Sequence, residues 1–364
     1  MNMRKTQLKW LAVLAAILLM GTVAFEQTAK WEAVPDYDQK MAAARLTQRA
    51  FDLIREEREH VGPAIDPTTD INRTGLVGDG YTAITTTLGN LEAKRSTCNP
   101  NIAAMIVDLF IQAGVVQGTC VAVNLSGSFP AVNIAVLCAL EAMGVESYVL
   151  SSIGASSYGA NLPQFTYPDM EKLIVDAGII SRGSQFVSIG GQNDTGADID
   201  AAVRSEIIKR LEEKGYKILH IENLDANIRY RYGLYQEFGE IGCLVNVGGN
   251  AVSFGNSDLM MYTGGGVLTG LPDGYADTTG LVQLFMNEEI PVVNILNIKE
   301  LLIRCGIPID PIPIPAAGEG GVYYHRAYNY GIAAFTLIVS MLILVQMYRS
   351  NRRRGQLTNC KVVQ

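Results

Sequence analysis

Histidine is scarce: His60, His220 and His325 are the only three in 364 residues. A zinc centre built on imidazole, or a histidine-based triad, therefore has few candidates. Cysteine is sparse as well, six in all, with no CxxC pair and no Cys/His spacing of a metal finger. Cys120, Cys138 and Cys243 lie inside apolar runs, where a thiol behaves as a small hydrophobe. There is no GxxxxGK[ST] run, and no GxGxxG between a strand pattern and a helix pattern with an acid about twenty residues further on. The two commonest nucleotide cradles are thereby excluded, and neither a metal nor a cofactor is expected.

Charge is missing from two stretches. Residues 10–25 carry none, with Arg4, Lys5 and Lys9 before them and Glu26 after. Residues 327–348 carry none either, and Arg349, Arg352, Arg353 and Arg354 follow. Each is about long enough to cross a bilayer core, the first only just. Basic residues flank both on the outer side of the pair, so the positive-inside rule puts both termini in the cytoplasm and residues 26–325 across the membrane. The first run also has the length of a signal peptide. Thr22-Val23-Ala24 is a poor cleavage site, which favours an uncleaved anchor. All 36 acidic residues fall between the two spans. Such a surface suits neither nucleic acid nor a long polyanion laid along a basic groove, so an anionic ligand would have to be met locally.

What is present between the spans alternates. Apolar runs read as strands at 120–125, 146–150, 185–189, 217–221, 241–247 and 292–296. Helix-period runs fall at 38–60, 100–113, 131–143, 167–177, 198–214, 224–238, 277–286 and 298–305. Strands alternating with helices predict an α/β fold, a mostly parallel, doubly wound sheet forming an ectodomain between two transmembrane helices. The expected organisation is an N-terminal membrane anchor (1–27), a juxtamembrane amphipathic helix (28–62), the α/β extracytoplasmic domain (63–306) and a Pro/Gly-rich spacer (307–326). A transmembrane helix (327–348) and a basic cytoplasmic tail (349–364) follow.

The centre of this pattern is CVAVNLSGSFPAVNIAVLCALEAM, residues 120–143. It reads as strand, tight loop and helix, with Pro130 at the helix start, where its missing N–H costs nothing. Backbone N–H groups and the hydroxyls of Ser126 and Ser128 would converge there at the positive end of a helix, a seat for a carboxylate or phosphate. Further loops rich in Gly, Ser and Asn follow other strands. SSIGASSYGAN (151–161) carries Ser157, GGQNDTG (190–196) carries Asn193, and residues 248–255 open with GGN and carry Asn250. In a parallel sheet these loops all belong at the C-terminal edge, where ligands gather. The polar run 75–100 adds Thr85, Thr86, Thr87, Glu92, Lys94 and Arg95. Its length favours a binding loop over a connector.

Ser126-Gly127-Ser128 occupies the place of a nucleophile elbow, but Ser126 and Pro130 stand where G-x-S-x-G needs glycine. His220, the one histidine in the right part of the chain, reads as a structural side chain. Composition therefore points to a binding or assembly module, with hydroxyls, N–H groups, Lys94 and Arg95 holding carboxylates.

Three strings carry a resemblance: ITTTLGNLEAKRSTCNP (84–100), VAVNLSGSFPAVNIAVL (121–137) and SSIGASSYGAN (151–161). In this order, between an N-terminal anchor and a C-terminal span, they resemble the bacterial poly-gamma-glutamate system protein family, over nearly the whole chain. The resemblance implies an accessory membrane protein working beside the poly-gamma-glutamate synthase membrane subunits. It would help to make or export an anionic polymer of glutamate joined through side-chain amides. It implies no catalytic residue. The expected ligand set is Thr85, Thr86, Thr87, Glu92, Lys94, Arg95, Ser126, Ser128, Ser157, Asn193 and Asn250. The expected partners are the synthase subunits, glutamate carboxylates and the lipid bilayer. The rival reading is an extracytoplasmic hydrolase or transferase acting on gamma-glutamyl amides, with Ser128 as nucleophile.

Overall fold

The computed structural model describes residues 2–275 and 279–360; Asp277, the expected start of one helix, and the last four residues of the basic tail lie outside them. The chain forms two units. One holds both chain ends: helix α1 (Asn2–Gln27), strand β1 (Lys30–Ala33), strand β13 (Tyr324–Ala327) and helix α12 (Tyr330–Cys360). Within α1 and α12, Gln7–Gln27 and Tyr330–Ser350 are each long and apolar enough to cross a membrane, with mean hydropathy 2.1 and 2.0. Their side chains have little protein to bury against. Leu19, Phe335, Leu337 and Met341 are all more than half exposed. Strands β1 and β13 pair antiparallel from Lys30↔Ala327 to Ala33↔Tyr324. The Phe25 ring stacks on Tyr328 at 4.7 Å, and Arg326 meets Glu26 at 3.2 Å. KWEA alternates polar and apolar residues over only four positions and YHRA does not alternate, so periodicity offers little sign of this ribbon.

The other unit runs from Pro35 to Tyr323. Its first helix, α2 (Tyr37–Arg58), has the amphipathic face expected of it, with Ala43, Ala44, Ala50, Phe51 and Ile54 buried. That face is spent inside the domain. It packs on α4 (Ile102–Gln112) and α5 (Pro130–Met143), so α2 belongs to the α/β unit and is not a separate juxtamembrane segment. The proline-rich stretch expected as a spacer is also docked. Asn72 Nδ2 donates to Pro311 O at 2.9 Å, Asn101 Nδ2 to Ala316 O at 2.9 Å, and Tyr323 OH to Asn101 Oδ1 at 2.6 Å. Prolines remove N–H groups but leave carbonyls to accept, and amide side chains of the domain use them.

The core is a seven-stranded sheet in the order β11-β12-β10-β3-β4-β8-β9. Its members are β3 (Cys120–Leu125), β4 (Glu146–Ser152), β8 (Phe186–Ser188), β9 (Ile218–Leu219), β10 (Ile241–Val247), β11 (Gly266–Leu268) and β12 (Val292–Ile295). Every pair is parallel except the edge strand β11 against β12. Successive residues of the strands enter different apolar clusters. Val121, Val123 and Leu125 pack with α2, α4 and α5. Ala122 and Leu244 pack with α8 (Leu224–Phe238), α9 (Ala251–Phe254) and α10 (Leu281–Asn287). Beyond them, Val187 and Ile189 pack with Ile207 and Leu211 of α7 (Ala201–Glu213). Helix α5 starts at Pro130 and stops at Gly144, whose φ of 63° closes the helix in a left-handed turn.

Three asparagines run across the buried sheet at matched register, Asn124 opposite Asn246 and Asn246 opposite Asn294, all fully buried. Asn246 Nδ2 donates to Asn294 Oδ1 at 2.9 Å, and Asn124 Nδ2 to Asn246 Oδ1 at 3.2 Å. A ladder of amides satisfies itself, so it tolerates burial that a lone amide would not.

Candidate functional site

From β3 the chain adds β4, β8 and β9 on one side, then returns to place β10 and β12 on the other. The order therefore reverses between β3 and β10, and parallel sheets open a crevice at such a point, beyond the strands' C-terminal ends. A cleft of about 740 Å³ lies there. Its walls are the loops after β3 (Ser126, Ser128, Phe129), after β4 (Ser152, Gly154, Ser156), after β8 (Gly190, Gly191, Gln192, Asn193) and after β10 (Gly248, Gly249, Asn250). The polar run before α3 (Leu91–Thr97) folds over it with Thr86, Thr87, Leu88, Gly89 and Asn90. Gathering of the loops on one edge follows from the parallel strands. The run is held in place by β2 (Thr85–Thr87), which pairs parallel with β5 (Ala155–Ser156). Close by, β6 (Asn161–Leu162) and β7 (Phe165–Thr166) form a short hairpin that leads into α6 (Tyr167–Asp176). Where the loops meet, backbone touches backbone. A Cβ on Gly154 would stand 2.8 Å from Gly191 N.

The eleven expected residues divide. Thr86, Thr87, Lys94, Ser126, Ser128, Asn193 and Asn250 line the cleft. Thr85 is buried beneath it, and its hydroxyl accepts from Asn161 Nδ2 at 2.9 Å. Glu92 points away to an ion pair with Lys299 at 2.6 Å. Arg95 grips Asp310 through two hydrogen bonds, Nε to Oδ1 at 2.8 Å and one guanidinium NH2 to Oδ2. Neighbours one position apart on a helix diverge by about 100°, so only one of the basic pair can face the cleft. Ser157 is buried outside the lining, and the adjacent Ser156 takes its place. His220 is exposed and absent from the lining. Reading residues one by one missed Ser152, Ser156, Phe129, Gln192 and Asp198. Ser156 sits in a two-residue strand, too short to show a period.

Lys94 is the one basic residue in the lining among the described residues, and it is 3% exposed. Helix α3 carries it inward, capped by Asn90 Oδ1, which accepts from Ala93 N at 2.8 Å. Its Nζ donates to the Ser128 carbonyl, lies 2.8 Å from Ser156 Oγ, and stands 3.5 Å from the centre of the Phe129 ring. Among the described residues no acidic side chain is within ion-pair distance of it. Burial without a counter-charge disfavours the ammonium and pulls its pKa down to about 7. Ser128 Oγ accepts from Ser156 N at 3.1 Å. Asp198, the acid of the lining, is held by Gln192 N at 2.9 Å. The buried thiols are inert by contrast: burial pushes Cys98, Cys138 and Cys243 up to about 12.

Below the cleft floor, Arg231 and Asp194 form an ion pair, 1% and 3% exposed. Asn227 Nδ2 donates to Asp194 at 2.9 Å, Ser188 Oγ to Asp194 at 2.8 Å, and Arg231 NH1 to Asn124 at 3.1 Å. Asn250 caps α9 by accepting from Ser253 N at 3.0 Å, and Ser253 Oγ donates to Asn246 at 2.6 Å. The asparagine ladder thus ties two loops of the cleft, through Asp194 and Asn250, to the sheet. Compared with family models, curated proteins and solved structures, the chain matches none.

Proposed function

We propose that this protein is a membrane-anchored accessory component of poly-gamma-glutamate synthesis and export, with a carboxylate-binding cleft on the extracytoplasmic side. On this reading α1 and α12 are both transmembrane, both termini are cytoplasmic, and the sheet is doubly wound with its ligand crevice facing the polymer. The synthase membrane subunits are the partners. The observation that carries the binding role is Lys94, a buried basic side chain with no acidic partner at ion-pair distance among the described residues, in a cleft whose other lining is mostly hydroxyls, amides and backbone, with one acid, Asp198. A cation so placed gains most from an anion that arrives with the ligand. One carboxylate at a time is met this way, which agrees with an acidic domain that offers no extended basic track.

Calorimetric titration with gamma-linked glutamate oligomers tests this. Lys94→Met is expected to weaken binding at least about tenfold, the worth of one charged hydrogen bond. Wild-type affinity should fall as pH rises through about 7, where the ammonium is lost. Unchanged affinity in the variant would falsify the assignment. The rival with Ser128 as nucleophile draws no support from geometry, because the amine meets the Ser128 carbonyl and not its hydroxyl.

A further inference from the structure

We infer that Ser156 and Lys94 form a nucleophile and its general base, so that the cleft carries out acyl transfer from an amide. The two come from elements 62 residues apart, and β5 and α3 bring Lys94 Nζ to 2.8 Å from Ser156 Oγ. Both line the cleft, Ser156 6% and Lys94 3% exposed, so an acyl group would have to reach them from the cleft side. The amine is built to act as a base. Neutral, it has two N–H bonds and one lone pair. As an ammonium, Nζ donates to the Ser128 carbonyl and to Ser156 Oγ and faces the Phe129 ring; once neutral, its lone pair is at the same distance to take the Ser156 O–H. The hydroxyl is positioned from its own backbone, because Ser156 N donates to Ser128 Oγ. No acidic side chain of the described residues stands at ion-pair distance, and burial favours the neutral amine.

The steps balance. Ser156 Oγ bonds to the amide carbonyl carbon while its proton passes to Lys94 Nζ. The C–N bond then breaks, and the Lys94 ammonium gives that proton to the leaving amine. The resulting ester on Ser156 is opened by water, or by a second amine, whose proton returns through Lys94 to Ser156 Oγ. The products are a carboxylic acid and an amine, or a new amide. Under the reading above the acyl donor is a gamma-glutamyl amide, and only that identity rests on the polymer assignment.

The test uses the full chain in detergent with p-nitrophenyl acetate as acyl donor. The expected result is a burst of p-nitrophenolate, an acetyl group mapped to Ser156 by peptide mass, and a burst rate that climbs as pH rises through about 7. Ser156→Ala and Lys94→Arg should each slow the burst at least about 100-fold, the lower end of general-base catalysis. The arginine side chain stays protonated, so it retains the cation and removes the base. Acetyl on any residue other than Ser156, a burst that survives in Lys94→Arg, or no burst from the folded wild type overturns the inference. Labelling of the wild type decides the matter even if a variant fails to fold. Oligomer binding without acyl transfer sinks the dyad alone. Acyl transfer without oligomer binding sinks the polymer reading alone.

Discussion

At the scale of single residues, burial decides chemistry. Lys94 and Arg95 are adjacent and equally basic in sequence, yet one is a buried amine with no counter-charge among the described residues and the other is spent on Asp310. The depressed pKa of Lys94 has a sign that can be followed. The fold prefers the neutral amine, so its contribution to stability is full above the ordinary lysine value of 10.5. It is lost progressively as pH falls toward about 7, and it is flat below that. Lys94→Met should remove this slope and raise ligand-free stability at pH 7 by about 1–3 kcal/mol, as replacing a buried charge with an apolar side chain does. Urea unfolding across the pH range measures both effects. Arg231 sits in the opposite situation, paired and hydrogen-bonded. Arg231→Met leaves Asp194 buried and unpaired and is expected to cost about 3–5 kcal/mol. A loss below about 1 kcal/mol would mean that water reaches the pair.

At the scale of elements, most of the pattern was legible. The strand, loop and helix of residues 120–143 stand where the apolar runs, Pro130 and Gly144 put them, because each boundary has a local cause. Helix α8 and strand β10 likewise coincide with the runs that predicted them. Less legible were elements whose cause lies elsewhere in the chain. β2 and β5 exist because they pair with each other, and β11 because β12 offers an edge. The loops depend on one another in the same way. A Cβ on Gly154 would press on Gly191 N and, at 3.1 Å, on Thr86 Cγ2. Gly154→Ala should push the facing walls of the cleft apart and lower stability by about 1–3 kcal/mol, the usual penalty of overpacking. Thermal unfolding with and without glutamate oligomers would show both the loss and a reduced ligand-induced shift.

At the scale of the whole molecule, the proposed topology makes a separate prediction. With both termini in the cytoplasm, Cys360 should resist a membrane-impermeant maleimide in intact spheroplasts and react once the membrane is opened. The other cysteines are buried or half-buried in the folded domain. Labelling of Cys360 from outside would reverse the assigned orientation. What the sequence determined by itself is whatever depends on neighbours along the chain. That includes the two uncharged runs, the alternation of strands and helices, and the placing of glycine, serine and asparagine just after strands, which in a parallel sheet sends them to one edge. Only the tertiary structure decided what depends on residues far away in sequence. It docked α2 and the proline-rich stretch on the domain, turned Lys94 inward and Arg95 outward, and chose Ser156 over Ser157. The physical reason is that periodicity records which side of an element is apolar, whereas a buried polar group is defined by the atom opposite it, and that atom can come from anywhere in the chain.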